Sequence, residues 1–346
     1  MFRNYFAGIL FFGAIIVGFT PNGLGQPTNE NHQGVSRIKF LNYEDCVELR
    51  NDTTRVVLGH HIGGRVLAYE LHGNNILYLS PQESTWDPDD PPTQLPSSAG
   101  RFDVGPEIKQ VRGNAIWQGR WTASATGHRR ASMVSPIDET SGLQVTRDFT
   151  LDASSSRLTI TQTVHNHGDK IVHQGFWSRT FVKHGGVVVV PCDSLQSRLP
   201  DMYYESQSRY IIDLKPEDPA VRRVGEFLVV DGPTKFPKLG FDAAKGWVAY
   251  QTRDDLLFVK RYPVFPSRRY AEPTGINLSI WYPNKELNPV CEIEPIGPLV
   301  ALRPREASSF TVDWWLLDRK FPESAVVDSK LVENWVSENC LLDKSE

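Results

Sequence analysis

From Ile38 to Leu317 the chain is a series of short apolar runs separated by turn signals. Val56-Val57-Leu58, Arg65–Leu71 and Ile76–Leu79 form the first set, broken at Gly63-Gly64 and Gly73-Asn74-Asn75. Leu143–Leu151 and Arg157–Val164 alternate apolar with polar and lie between Ser141-Gly142, Asp152–Ser156 and Asn166–Asp169, which predicts a hairpin. Val187–Val190, Tyr210–Leu214, Phe227–Val230, Trp247–Thr252 and Leu256–Tyr262 continue the series. Many short runs, almost no helical periodicity, and 26 Gly with 24 Pro predict an all-β sandwich. One segment breaks the pattern. Glu323–Leu341 places Val327, Leu331 and Trp335 at four-residue steps with Val332 and Val336 beside them, which predicts a C-terminal amphipathic helix docked by one face. The Pro-rich, acidic stretch Gln82–Ser98 reads as a long loop.

The N-terminus carries a different signal. Arg3, the apolar run Tyr5–Phe19 and the small residues Gly23-Leu24-Gly25 read as a secretory signal peptide cut after Gly25. The run is short for a bilayer span, and no later segment is apolar enough for one. The chain then divides into a signal peptide at 1–25, a flexible leader at 26–36, a β-sandwich at 37–320, and a helix with its tail at 321–346. The expected location is periplasmic or secreted. A net charge of -4, from 37 basic and 41 acidic residues, gives no footprint for nucleic acid or an anionic membrane. Cys46, Cys192, Cys291 and Cys340 have long irregular spacings without a Cys-x-x-Cys, so disulfides and buried thiols both stay open.

Candidate chemistry centres on Val290-Cys291-Glu292-Ile293-Glu294-Pro295. On a strand, Glu292 and Glu294 point to one face, about 6.5–7 Å apart, and Cys291 and Ile293 to the other. Two acids so placed repel and favour holding a proton, and on a buried face they need cations, donors or a ligand. Lys260 and Arg261 give one cation to each face of their strand, and Lys238 precedes a Gly turn from which it reaches the same region. Metal readings are weaker. His165-Asn166-His167 has strand spacing, but Asn-His-Gly-Asp is a turn signal. Asp87, Asp89 and Asp90 lack the Gly-turned spacing of a calcium loop. His60 and His61, if on a strand, face opposite sides and share no ligand. The expectation is no metal and no cofactor.

Several blocks, taken in order, resemble galactose-mutarotase-like proteins of the aldose 1-epimerase superfamily, and within them an exported bacterial branch. They are Gly63-Gly64-Arg65-Val66-Leu67 with Asn75-Ile76-Leu77-Tyr78, then Val134-Ser135-Pro136 with the hairpin Gly142–Asn166. Gly175-Phe176-Trp177-Ser178-Arg179-Thr180, Lys238-Leu239-Gly240, Phe258-Val259-Lys260-Arg261 and Glu292-Ile293-Glu294-x-x-Gly297-Pro298 follow. The resemblance spans Ile38 to Leu317. It implies an antiparallel supersandwich with a sugar cleft on one concave face, and carbohydrate, mono- or oligosaccharide, as partner. In epimerases a C-terminal Glu takes the anomeric hydroxyl proton while a His protonates the ring oxygen. Glu294 matches the base position most closely, with Glu292 second. Arg101-Phe102-Asp103, followed by Glu107, resembles the early polar motif of the cleft. Arg179, Lys238, Lys260 and Arg261 are the implied cations, and Trp117 and Trp177 the implied stacking platforms. The chain departs from the pattern at the acid: no His lies between Gln174 and Lys183, where Phe176-Trp177 stands.

Three classes follow. A non-catalytic or weakly catalytic glycan-binding protein is favoured by the missing His. An aldose epimerase or isomerase uses Glu294 as base. A cell-envelope structural or interaction protein keeps the fold without the sugar site. Intact-mass analysis of secreted or periplasmic material is expected to give a chain starting at Gln26, and a retained Met1 in a cytoplasmic fraction would contradict export.

Overall fold

The computed structural model describes residues 32–87, 95–107, 115–192, 204–206, 209–211, 217–272, 275–286 and 288–341, the strands at 204–206 and 209–211 by their backbone only. The expected signal peptide, most of the leader, and Asp89 and Asp90 lie outside these residues. Among the described residues, thirteen strands form one antiparallel sheet and ten a second. The first sheet runs Val35–Phe40, Tyr43–Arg50, Thr54–Gly59, Arg65–Leu71, Gly100–Gly105, Val172–Lys183, Val290–Pro295, Leu278–Trp281 and Lys238–Phe241, ending at Tyr204–Ser206 and Arg209–Ile211. The second runs from Val221–Val224 through Trp247–Gln251, Leu256–Arg261 and Ala307–Asp318 to the predicted hairpin, which pairs Leu158 with Leu151 and Asn166 with Leu143. The antiparallel sandwich read from the sequence is the observed architecture. The first strand begins at Val35, inside the stretch read as leader.

Alternation builds the core. Leu158–Asn166 is buried at every second residue, and its inward side chains meet those of the first sheet in one cluster that includes Val56, Phe102, Phe176, Phe149, Ile160, Phe310 and Trp314. Each such side chain contributes roughly 1.5–3 kcal/mol through the area it removes from water. The helix occupies Ser329–Asn339, shorter than the sequence pattern suggested. Asp328 caps it, its side chain accepting from the amides of Lys330 and Leu331. It buries Val332 and Val336 against Trp247, Leu257 and Trp315 on the outer face of the second sheet, while Leu331 is exposed.

Two features of the first sheet prepare the site. Gly63 and Gly64 have positive φ, and a Cβ on Gly63 would lie 2.2 Å from the Trp117 carbonyl oxygen. Only glycine lets segment 115–121 sit so close, which brings Trp117 over the sheet. The acidic stretch after Pro81 is anchored by a buried network. Arg65 Nη1 donates to Glu83 Oε1 at 2.6 Å and Nη2 to Oε2 at 3.1 Å, and Tyr43 and Ser98 also donate to that carboxylate. His60 and His61 correct the alternation argument. The strand ends at Gly59, so both lie in the following bend and their rings approach to 4.2 Å. Burial, with His60 beside it, pushes His61 down to about 4. All four cysteines are free and buried.

Because Glu83 and Arg65 are 0% and 1% exposed, removing one strands the other. Glu83→Ala is expected to lower unfolding free energy by about 3–5 kcal/mol in urea titrations, and a loss under about 1 kcal/mol, the range of an exposed pair, would contradict the buried network.

Candidate functional site

The outer face of the first sheet, away from the second, collects the charged residues by strand parity. Arg101 and Asp103 alternate with core Phe102; Trp177 and Arg179 alternate with Phe176; Glu292 and Glu294 alternate with Cys291 and Ile293; Lys238 precedes core Leu239. Register aligns them, with Trp177 opposite Asp103, Arg179 opposite Arg101, and Glu294 opposite Ser279. The reading that Glu292 and Glu294 share a face describes their placement, and the cations beside them are specific. Arg179 grips Glu292 through Nε at 2.8 Å and Nη2 at 3.1 Å, and reaches Asp103 at 3.4 Å. Lys238 Nζ donates to both Glu294 oxygens, at 2.8 and 3.0 Å, and lies 3.6 Å from Glu107. Arg179 Nε is 3.7 Å from Glu294, so the two pairs join into one network.

The indoles hold cations here. The Arg101 guanidinium carbon lies 3.3 Å from the Trp117 ring centroid, and Arg179 and Lys238 lie 4.6 and 4.8 Å from that of Trp177. Such contacts are worth more when desolvated, and this group is almost wholly covered. Glu294 is 0% exposed, Glu292 and Trp177 1%, while Trp117 at 9% and the Glu107 side chain at 17% are more open.

Two residues named from the sequence are elsewhere. Lys260 projects from the second sheet into the space between the sheets, where Nζ donates to Ile293 O and Thr180 Oγ1 at 2.7 Å. It props the backbone between the two glutamates from the core side. Burial drives its ammonium well below the usual lysine range, against the pull of Glu294 and Glu292. Arg261 points the opposite way, to the outer face of the second sheet, and donates to the Cys340 carbonyl at the helix end. Alternation separated these neighbours as expected, but neither of their faces is the site face.

One residue was not read from the sequence. Glu272 is 4% exposed, accepts the Glu107 amide on Oε1 at 2.9 Å, and among the described residues has no hydrogen-bond partner on Oε2. It lies outside any strand, in Tyr270-Ala271-Glu272-Pro273, so periodicity gives no signal for it. With it, five acids (Asp103, Glu107, Glu272, Glu292, Glu294) meet three cations (Arg101, Arg179, Lys238) on this face. Their proton affinities divide accordingly. Burial pushes Glu292 up, but Arg179, by charge and hydrogen bonds, outweighs it and holds Glu292 below the usual carboxylate range. Burial, then the Glu292 charge, pushes Glu294 up to about 7 despite Lys238. Burial and the Glu107 charge push Glu272 up to about 7 also, opposed by the Glu107 amide. Lys238 stays above its usual range because Glu294, then Glu107, more than offset its burial. Burial lowers Arg101 to about 9, which still leaves it cationic at neutral pH. The result is one firmly ionised glutamate beside two carboxyl groups poised for proton exchange, the arrangement general acid–base chemistry requires. Among the described residues, no group of three or more His, Cys, Asp or Glu is placed to hold a metal ion.

Glu272 makes stability depend on pH in a defined direction. Its folded value of about 7 lies above the ordinary 4.5, so the folded state holds the proton more tightly. That stabilisation is complete below pH 4.5 and is lost as pH rises through 7. Urea unfolding of Glu272→Gln is expected to lack this loss, which is on the order of 3 kcal/mol; parallel pH profiles for variant and parent would contradict it.

No family model matches the chain, and no curated protein matches it in sequence. Solved structures do match in fold. A galactose mutarotase-like protein from Lactobacillus casei superposes with TM-score 0.56 at 10% identity over 79% of this chain and 100% of its own. A candidate aldose 1-epimerase from Escherichia coli K12 gives 0.55 at 11%, covering 79% and 98%. A galactose mutarotase-like protein from Clostridium acetobutylicum gives 0.53 at 11%, covering 83% and 99%. With two large antiparallel sheets and these neighbours, the chain has the galactose mutarotase-like fold.

Proposed function

We propose that the protein binds carbohydrate at the Glu292–Glu294 face, outside the cytoplasm. The observation that carries this reading is a buried polar group left incompletely satisfied. Among the described residues, Glu272 Oε2, Trp177 Nε1 and Arg101 Nε have no hydrogen-bond partner, although each is shielded from water. A network serving stability alone gains by closing such gaps, each worth roughly 1–3 kcal/mol. A sugar supplies what is missing, because each hydroxyl donates and accepts at once. Carboxylates take hydroxyl protons in charge-assisted bonds, while guanidinium, ammonium and indole N–H groups donate to the same oxygens. The open rim at Glu107 and Trp117 is the approach side. The mutarotase-like fold supports the assignment of class, and the N-terminal apolar run supports export.

A second reading, anomer interconversion by an aldose epimerase type of reaction, is favoured by Glu294, whose proton affinity near 7 suits a general base. The interaction-protein reading is what remains if no sugar binds.

A thermal-shift screen of mono- and oligosaccharides tests the proposal. Ligand at 100 times its Kd adds about 2.7 kcal/mol to the unfolding free energy. Glu294→Gln keeps the shape but weakens bonds to hydroxyls, and is expected to raise Kd by roughly tenfold. A broad panel that leaves the melting temperature unchanged would move the interaction-protein reading to first place.

A further inference from the structure

A groove of about 780 Å³ opens where Val300–Leu302 of the first sheet meets the start of Ala307–Asp318 in the second. His173, Arg268, Arg269, Leu299, Ala301 and Ser308 are among the residues that line it. Its floor is the short strand Val300–Leu302. This strand pairs with Val172–Gln174 and, among the described residues, with no other strand, so its far edge keeps backbone polar groups free of a ladder. Both banks are fixed. On one side the Leu299 amide donates to the Arg269 carbonyl at 2.7 Å, and Tyr270 bridges Pro298. On the other, Asn166 holds the turn after Leu302. Its side-chain amide donates to the Leu302 carbonyl at 2.9 Å, and its own carbonyl accepts from the Arg305 amide at 2.8 Å. The groove is separate from the glutamate face. His173, Gly175 and Trp177 share one side of their strand. A Cβ on Gly175 would stand 2.9 Å from Ala271 Cβ, so the segment Tyr270–Glu272 runs as a wall between the His173 end and the Trp177 end.

We propose that this groove binds an anionic sugar residue, a uronate or a sulfate ester, at a place distinct from the Glu292–Glu294 face. Arg268 and Arg269 are exposed, and among the described residues neither side chain has an acidic partner. Arg55, Arg157 and Arg222, by contrast, are each paired with a carboxylate. The Arg268 guanidinium carbon lies 5.3 Å from the Phe265 ring centroid, and the Arg268 amide closes a turn on the Phe265 carbonyl at 3.0 Å, so the side chain is placed before any ligand arrives. A guanidinium fork matches a carboxylate or a sulfate through two parallel bonds. His173 and Ser308 add polar groups for ring hydroxyls, while Leu299 and Ala301 offer an apolar patch to the C–H face of a ring. Among the described residues, Glu306 is the one acid lining the groove. Its carboxylate accepts the Arg303 amide at 2.8 Å and the Arg303 guanidinium at 3.4 Å, so it is engaged in the turn. The volume falls within the range of about 300–1,000 Å³ usual for small-molecule sites, more than one inorganic oxyanion fills. The five acids of the glutamate face disfavour the same anion there, so charge sorts ligands between the two places.

The test is isothermal titration calorimetry of the full chain at low salt with trigalacturonate, its neutral methyl ester and inorganic sulfate. Trigalacturonate is expected to bind, and to bind less tightly as sodium chloride is added. The methyl ester and sulfate are each expected to bind at least about tenfold more weakly. The double variant Arg268→Gln with Arg269→Gln is expected to raise the Kd for trigalacturonate by about tenfold or more. Arg222→Gln with Arg223→Gln removes the same charge elsewhere and is expected to leave that Kd unchanged. Arg268→Lys, which keeps the charge and loses the fork, is expected to lose part of the affinity. If the groove double variant fails to fold, Arg269→Gln alone is expected to show a smaller loss in the same direction. Parental affinity in the groove variants, or an equal loss in the control pair, would overturn the site. Sulfate or the methyl ester binding as tightly as trigalacturonate would overturn an anionic sugar as its ligand. Binding of neither anion would overturn the proposal outright, while the thermal-shift screen with neutral sugars decides the glutamate face separately.

Discussion

Strand alternation forces Glu292 and Glu294 onto one face of a sheet, about 6.5–7 Å apart, and the fold then covers that face. Two unpaired carboxylates at 0–1% exposure would cost several kcal/mol each. Arg179 answers for Glu292 with a two-pronged grip, and Lys238 answers for Glu294 with one ammonium. The division is unequal in consequence. The forked guanidinium makes Glu292 a fixed negative charge, and that charge raises its neighbour. Poised chemistry at Glu294 therefore depends on the firmness of the Arg179–Glu292 pair, and the other members of the site are arranged around that asymmetry.

The remaining architecture supports this pair from both sides. Beneath the sheet, Lys260 donates to the carbonyl of Ile293, the residue between the two glutamates, and Arg147 donates to the carbonyls of Gly64 and Gly100. Burial between the sheets disfavours the charged form of both side chains, yet each holds a strand that carries site residues. Above the sheet, glycines decide what can come close. Gly63 admits the Trp117 carbonyl, and the Gly105–Gly175 pair admits Ala271-Glu272.

Legibility from sequence followed periodicity. The strands, the central hairpin and the shared face of Glu292 and Glu294 could be read because a period of two fixes side-chain direction without knowledge of neighbours. Arg179 and Lys238 could be named as partners because the order of blocks resembled a known fold. Lys260 and Arg261 show the limit: alternation says that they diverge, but not which sheet carries them or whether either face is the site face. His60 and His61 show another, since the alternation argument failed once the strand ended at Gly59. Glu272 could not be read at all. It lies on an irregular segment whose position is set by small residues more than ninety positions away in sequence, and a lone Glu before Pro carries no local pattern. The stretch after Pro81 read as a plain loop because the Arg65–Glu83 anchor joins residues that no period connects.

The central claim is that this buried face keeps carboxyl groups poised near neutrality beside one that is firmly ionised. Carbon-13 NMR of glutamate side-chain carboxyl groups, with Glu292, Glu294 and Glu272 assigned by single Gln variants, measures this directly. The account predicts that Glu294 and Glu272 titrate with apparent values of about 7 and that Glu292 titrates below the usual carboxylate range. Three ordinary titrations, each near the value of about 4.3 found for free glutamate side chains, would contradict it.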